Sequence, residues 1–389
     1  MDGYPIDTSR LSGLLMLGAI AAALVMANTG LFEFYRLIHH TIVGIRIGEF
    51  IYEKPMYLWI NEGLLVLFFV KIGLETKREL LTGALSGPHG WRMPLLAAFG
   101  GMAVPVAIYM VINFGDPQVS RGWAIPVATD AVLAIGLLLL ISPTRARPLV
   151  AFLTAIAVFD DVGAIAIIGV FFSENINLPA LLAAAAFTIV LFSLGAYRIR
   201  IFTPYIVVAG FLWAALLASG VHATLAGVAL GFALPMRARE YAASPLLRLE
   251  RDIAPFVMLA IVPAFAFFNT GLPLTPNAVG GLWTPLSFGI IAGLLIGKPL
   301  GIISCAYFAA STRIATLPDG MRWRDIFICA IFGGIGFTMS IFIASVAFSD
   351  VERLDAARLA VLSASALAAA LGAGMLRMPG RPRARSIKS

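Results

Sequence analysis

Long apolar segments recur along almost the whole chain and are separated by short polar connections. Twelve of them have the length at which a helix crosses a bilayer, roughly 17–25 residues. They lie near 11–30, 57–76, 92–114, 122–142, 148–173, 179–197, 203–219, 221–236, 254–271, 284–310, 325–348 and 355–378. The pattern predicts an all-α membrane protein with twelve transmembrane helices, in one polytopic membrane domain over residues 1–389.

The composition agrees with a membrane protein and excludes an ordinary soluble domain. Hydrophobic residues make up 60% of the 389 residues and charged residues only 13%, whereas soluble domains carry about 25% charge. Both cysteines, Cys305 and Cys329, lie in apolar stretches, so a disulfide framework or zinc site is not expected. The net charge of +7 would suggest nucleic acid in a soluble protein, but basic loops explain it here and no nucleic-acid partner is expected.

The distribution of Lys and Arg predicts the orientation of the helices. Twenty of these residues fall on the side of the N-terminus and six on the opposite side. Since cytoplasmic loops are enriched in Lys and Arg, both termini are predicted to be cytoplasmic. Residues 379–389 then form a basic cytoplasmic tail, and the protein is expected in the inner membrane of a bacterial cell.

The connection between the first two segments differs from the others. Residues 41–53 alternate β-branched residues with smaller or polar ones, and Gly48 supports a turn, which predicts a short external β-hairpin. A lone two-stranded hairpin is marginally stable, so a second copy of the chain is expected to pair with it. The alternative is a hairpin that only covers the helices.

Asp160 and Asp161 interrupt the fifth apolar segment at its middle. A carboxylate at that depth costs about 2.5–3.5 kcal/mol on insertion scales, and such residues usually serve transport. The pair therefore predicts a cation or proton site. Its structural alternative is a pair of hydrogen-bonding groups between helices with no transport role.

Two segments carry signs of an interrupted helix. In the fourth, Pro126 removes a backbone donor shortly before Thr129 and Asp130; in the eleventh, three glycines lie within residues 333–336. Unwinding both segments inside the membrane leaves facing half-helix ends that each carry about half a charge. Asp130 is placed to offset the positive ends, or simply to cap one half-helix, and Lys298 is the candidate for the negative ends.

Six motifs together resemble the NhaA family of sodium/proton antiporters over about residues 11–375. They are Trp59-Ile-Asn-Glu through Gly73-Leu-Glu-Thr-Lys-Arg-Glu79, Ala128-Thr-Asp130, Phe159-Asp-Asp-Val-Gly-Ala-Ile165, Ser219-Gly-Val-His-Ala-Thr-Leu-Ala-Gly227, Gly297-Lys-Pro-Leu-Gly301 and Gly336-Phe-Thr-Met-Ser-Ile-Phe-Ile-Ala344.

Segments four and eleven are seven crossings apart and so run in opposite directions, which predicts an inverted repeat of helices 3–5 and 10–12. Inverted repeats are known in that family, so the two observations are not independent. The core repeat is expected at about 92–173 and 284–378. An interface and dimerisation part is expected at about 11–76 and 179–271.

The resemblance implies a role for each matching residue. Asp161 would be the principal Na⁺ ligand and proton carrier, Asp160 a second carboxylate paired with Lys298 when Na⁺ is absent, and Thr129 a further ligand beside Asp130. A pH-sensing set would consist of Glu75, Arg78, Glu79, Glu250 and His222. Homodimers would form through the hairpin at about 41–53. For His222, the alternative is an ordinary hydrogen-bonding residue at the start of a helix.

Four positions depart from the family pattern. Lys71 stands where an apolar residue is expected. It can form an i,i+4 ion pair with Glu75, or its long side chain can extend so that the ammonium reaches the cytoplasmic edge of the membrane. Arg251 and Ala254 stand near Glu250 where relatives can carry histidine, and Leu133 replaces a common phenylalanine. These changes leave the ion site intact and bear on the pH profile.

A carboxylate binds either a proton or a sodium ion, and that competition can couple two fluxes. Together with this chemistry, the resemblance implies that the chain exchanges cytoplasmic Na⁺ or Li⁺ for external H⁺ by alternating access, with pH regulation and without a cofactor. Exchange of two protons for one Na⁺, which is electrogenic, is implied by the resemblance. The alternatives are a sodium-coupled solute symporter, an intramembrane aspartyl protease, which needs aspartates on separate helices, and a passive cation channel, for which no filter motif is present.

Overall fold

The computed structural model describes residues 6–47, 50–83, 85–87, 90–142, 146–173, 175–236 and 244–378. We number the helices α1 to α16 along the chain. They are α1 (Ile6–Ala27), α2 (Phe32–His40), α3 (Met56–Leu81), α4 (Arg92–Ile112), α5 (Pro117–Val127), α6 (Ala131–Ile141), α7 (Ala146–Phe171), α8 (Leu178–Ala196), α9 (Phe202–Ser219), α10 (Leu225–Ala233), α11 (Pro245–Thr270), α12 (Pro276–Gly280), α13 (Pro285–Ser311), α14 (Trp323–Gly333), α15 (Phe337–Ala347) and α16 (Val351–Arg377).

Nine helices in the described part of the chain are long and apolar enough to cross a membrane. Two further pairs, α5 with α6 and α14 with α15, are bent by 45° and 41° at a short break, so up to eleven spans are present if each pair is one span. The predicted segment 221–236 contains only the nine-residue α10. Twelve spans therefore remain a prediction. The mainly helical structure, with its apolar helices of membrane-crossing length, agrees with the predicted all-α membrane protein.

The ninth apolar segment begins earlier than the sequence suggested. We predicted it over 254–271, but α11 starts at Pro245. Proline is favoured at the first helical position, where its missing N–H has no intrahelical partner. As a result, Glu250 lies within a helix and not in a loop.

A two-stranded antiparallel sheet joins α2 to α3. Strand β1 (Ile42–Ile47) pairs with β2 (Phe50–Pro55), from Ile42 opposite Pro55 to Ile47 opposite Phe50. Trp59 at the start of α3 donates its indole N–H to the carbonyl of Val43 at 2.7 Å. The predicted turn at Gly48 and the basic tail 379–389 lie outside the described residues. The external position of this sheet and its role in a dimer remain predictions.

Close helix contacts place the residues at the centre of the protein. A Cβ atom on Gly297 of α13 would lie 2.8 Å from Cα of Pro105 in α4, so glycine lets these two backbones approach. The last turns before Lys298, Gly293–Gly297, are π-helical, a local widening that is frequent at functional sites. Together they bring the Lys298 side chain into the interior, where it is 0% exposed.

Two large apolar clusters form most of the core in the described part of the chain. The larger one runs through α1, α3, α4, the two bent pairs, α7, α11, α13 and α16. The smaller one joins α3 to α8, α9 and α10. The predicted division into a core repeat and an interface part is not visible in burial alone, because α1, α3 and α11 pack into the larger cluster, and that division remains a prediction.

Candidate ion-binding site

The two bent helix pairs cross at their breaks. Residues 128–130 between α5 and α6 are not helical, and Ala128 and Asp130 have extended backbone angles. At the crossing, the Asp130 N–H donates to the carbonyl of Ile335 at 2.7 Å. The Ser340 hydroxyl of α15 donates to the carbonyl of Ile125 in α5, also at 2.7 Å. These bonds supply partners for backbone groups that the breaks remove from their helices.

The Asp130 carboxylate caps two half-helices at once. Its Oδ1 accepts from the N–H of Leu133 in the first turn of α6 at 2.9 Å. Its Oδ2 accepts from the N–H and the hydroxyl of Thr338, at 2.9 and 2.6 Å, in the first turn of α15. A negative charge is favourable at a helix N-terminus. Here the single charge of Asp130 lies at the N-termini of both α6 and α15.

Lys298 and Thr129 hold the second aspartate. The Lys298 Nζ lies 3.0 Å from Oδ2 of Asp160, and both side chains are fully buried. The same ammonium donates to the carbonyl of Val127 at the C-terminal end of α5. The Thr129 hydroxyl lies 2.6 Å from Asp160 Oδ2 and 3.0 Å from the carbonyl of Gly333. Because a hydroxyl has one proton, the shorter, charge-assisted bond to the carboxylate is the stronger of the two.

Asp161 has a different environment from its neighbour. It is 8% exposed, and its Oδ1 is buried without a hydrogen-bond partner in the described part of the chain. It lines a narrow cavity with about 20 Å³ open to the centres of water molecules, which is enough for one water. A cavity of this size accommodates an ion or a water molecule.

The cavity brings the break residues together with α3 and α7. Thr154, Ala157, Val158 and Asp161 form one face of α7 along it, at the spacing of three and four residues that defines a helix face. The other lining residues are Phe68, Lys71, Ile72, Glu75, Thr129, Asp130, Ala131, Val132, Thr338 and Met339. We did not single out Thr154 from the sequence, although its spacing of seven from Asp161 is a readable signal.

The predicted pH-sensing residues divide into three groups. Arg78 of α3 lies 3.0 Å from Glu250 of α11 and 2.7 Å from Glu79. Glu75 lies one turn before Glu79, is paired with Lys71, and faces the cavity. His222 stands apart in the connection between α9 and α10, with its ring 5.4 Å from the ring of Phe342 in α15. The structure thus joins Arg78, Glu79 and Glu250 directly and places Glu75 in the lining of the cavity at Asp161.

Comparison with known proteins decides the family. The sequence profile of the family described as Na⁺/H⁺ antiporter 1 matches residues 5–376. The chain belongs to this family. It is accordingly a transporter and not an enzyme, as the motifs predicted.

Curated relatives give the same result over the whole length. The Na⁺/H⁺ antiporter NhaA of Shewanella loihica is 43% identical over 362 residues, with 92% of both chains covered. The proteins of that name from Shewanella amazonensis and Haemophilus ducreyi are 44% and 41% identical, with 92% and 94% of this chain covered and 92% and 93% of theirs. The predicted resemblance is confirmed.

Proposed function

We propose that this chain exchanges cytoplasmic Na⁺ or Li⁺ for external H⁺, with Asp161 as the group that binds one or the other. The observation that carries the proposal is the Asp161 carboxylate, which lines a small cavity and has a buried oxygen with no hydrogen-bond partner among the described residues. Such an oxygen is costly to bury unless a proton or a cation satisfies it. Since one carboxylate cannot hold both, entry of one ion requires release of the other.

Asp160 is the second ligand in this proposal. Its Oδ2 is held by Thr129 and Lys298, while its Oδ1 is buried without a partner among the described residues. Hard cations take oxygen ligands, and the two carboxylates and the Thr129 hydroxyl offer them near the cavity. Binding of Na⁺ to Asp160 would displace Lys298, which retains the carbonyl of Val127 as an acceptor.

Alternating access would expose the same site to either side of the membrane. The crossed bent helices suit this movement, because they bond to each other through Asp130 and Ser340 and can move as one unit. Exchange of two protons for one Na⁺ moves one net charge, for which the membrane potential supplies about 2.3 kcal/mol per 100 mV. Such exchange is electrogenic and drives sodium out of the cell.

Regulation by pH would act through the charged residues that lie toward the C-terminal end of α3. Arg78 holds Glu79 and Glu250 from different helices, and Glu75 links this group to the cavity. Protonation of these carboxylates would weaken the α3–α11 contact and change access to Asp161. In the proposed location, the bacterial inner membrane, both termini are cytoplasmic and the β1–β2 sheet pairs with a second copy. Such a transporter supports pH homeostasis and salt tolerance.

Proton flux in proteoliposomes tests the proposal. With wild-type protein, a pH-sensitive dye should report proton release when Na⁺ or Li⁺ is added. Addition of K⁺ should give no change in the dye signal. Asp161→Asn should reduce this flux at least about 100-fold. The matched control is Asp252→Asn, the same chemical change at an exposed carboxylate of α11 (54% exposed), which should transport normally.

Each alternative result has a defined meaning. No Na⁺ response of wild type from pH 6.5 to 9 would refute the exchange. A response that survives in Asp161→Asn would retain the exchange and refute the proposed site.

A further inference from the structure

Lys71 is a charged residue inside an apolar helix and beside the ion cavity. It lies in the middle of α3, is 6% exposed, and lines the same cavity as Asp161. Among the described residues that line this cavity, Lys71 is the single cation, with Asp130, Asp161 and Glu75 as the anions. Ionisable residues at such positions usually take part in transport.

Glu75 is the partner of this lysine on the same helix. The Lys71 Nζ lies 2.5 Å from Glu75 Oε2, and the two side chains are 7% and 17% exposed. Removing two charges from water costs several kcal/mol per ion, and apolar residues of similar volume often serve equally well. Stability alone therefore does not explain why the pair is at the cavity.

The other charged groups of the site already have partners. Asp160 is held by Lys298, and both oxygens of Asp130 accept bonds from α6 or α15. Asp161 Oδ1 has no hydrogen-bond partner among the described residues, and Asp161 shares the cavity with the ammonium of Lys71 and the carboxylates of Glu75 and Asp130. In the described lining, Lys71 is therefore the one positive charge that opposes the negative charge met by an entering Na⁺.

We propose that Lys71 is a tethered cation that keeps Glu75 from becoming a Na⁺ ligand and thereby sets a low Na⁺ affinity. Its positive charge also repels Na⁺ from Asp161. A relative with an apolar residue at this position would present a more negative cavity. The inference rests on the exchange proposed above and assigns the affinity of that same site to a lining residue that is not itself a Na⁺ ligand.

Removal of the charge with the size retained tests this role. In Lys71→Met, the apparent KM for Na⁺ should fall about tenfold, as expected for one unit charge several Å from the ion at intermediate dielectric. The KM for Li⁺ should fall by a similar factor, because the effect is Coulombic. The maximal rate should change less than the KM. The matched control is Arg248→Gln, which removes a cation from an exposed i,i+4 pair with Asp252 and should leave the KM unchanged.

Two further variants separate charge from packing. Lys71→Arg keeps the charge and should retain a KM within about threefold of wild type. Lys71→Met combined with Glu75→Gln removes both charges, so its KM should return toward the wild-type value. A purely structural lysine would instead lower the amount of folded protein or the maximal rate in each of these variants.

The results distinguish this inference from the proposed exchange. Suppose that wild type transports Na⁺ and Asp161→Asn does not. The inference would then be overturned by an unchanged or higher KM in Lys71→Met. It would also be overturned if the double variant had the same KM as Lys71→Met. Failure of wild type to respond to Na⁺ would instead remove the exchange on which the inference rests.

Discussion

Asp130 and Asp161 are both buried aspartates that line one cavity, yet their surroundings are opposite. The two oxygens of Asp130 accept three hydrogen bonds from the first turns of α6 and α15. Asp161 Oδ1 is buried with no acceptor role in the described structure. A carboxylate whose bonds are all made within the protein is already stabilised, so a new ligand gains little from it. The other is available for a proton or a cation.

Asp160 is intermediate between these two residues. One oxygen is held by Lys298 and Thr129, and the other is buried without a partner among the described residues. In the proposed function, the three aspartates thus form a graded set, from scaffold to ligand. The comparison teaches that burial alone does not distinguish these carboxylates, whereas the number of their hydrogen bonds within the described structure does.

The largest effect is expected when Asp160 loses the ammonium of Lys298. In Lys298→Met, Asp160 would be a second unpaired carboxylate, and the free energy of unfolding should fall by roughly 3–5 kcal/mol, as for other broken buried pairs. Equilibrium denaturation in mixed micelles measures this loss. Adding Asp160→Asn to Lys298→Met removes the unpaired charge and should recover most of the stability. If the double variant is as unstable as Lys298→Met, the pair is not what stabilises this region.

A second test compares the two extremes directly. Asp130→Ala leaves three buried donors without an acceptor. Each of them costs at least about 1 kcal/mol, so the free energy of unfolding should fall by at least about 3 kcal/mol. Asp161→Ala removes a group whose Oδ1 has no hydrogen-bond partner in the described part of the chain. The stability of this variant should equal or exceed that of wild type, as is common where function requires a destabilised site. Equal losses in the two variants would contradict the division into scaffold and ligand.

The sequence indicated the residues of the candidate site but few of the contacts between them. The apolar segments, the break after Pro126 and the Asp160–Asp161 pair are local features, because helix length, a missing N–H and a charge at membrane depth act within one segment. The Lys298–Asp160 pair was expected from the family resemblance, and the structure places the two side chains 3.0 Å apart.

Contacts between distant segments were less accessible from the sequence. No local sequence pattern indicates that Asp130 accepts a hydrogen bond from Thr338, 208 positions away. That bond depends on the angle at which the two broken helices cross. The start of α11 at Pro245 was missed for a different reason. Residues 245–253 are too polar for an apolar segment, and a helix can begin before it enters the membrane.

The smallest effect should come from the hydroxyl that joins the two breaks. Thr338→Val keeps the N–H of residue 338 and removes the hydroxyl bond of 2.6 Å to Asp130, while Leu133 and the remaining backbone bond still hold the carboxylate. A hydrogen bond to a charged group contributes about 1.5–3 kcal/mol, so the free energy of unfolding should fall by about 1.5 kcal/mol, less than in Asp130→Ala. Thr338→Ser retains the hydroxyl and should lose much less. Thr338→Val could instead have wild-type stability and a reduced Na⁺-driven flux. In that case the Asp130–Thr338 bond would serve ion binding rather than the scaffold.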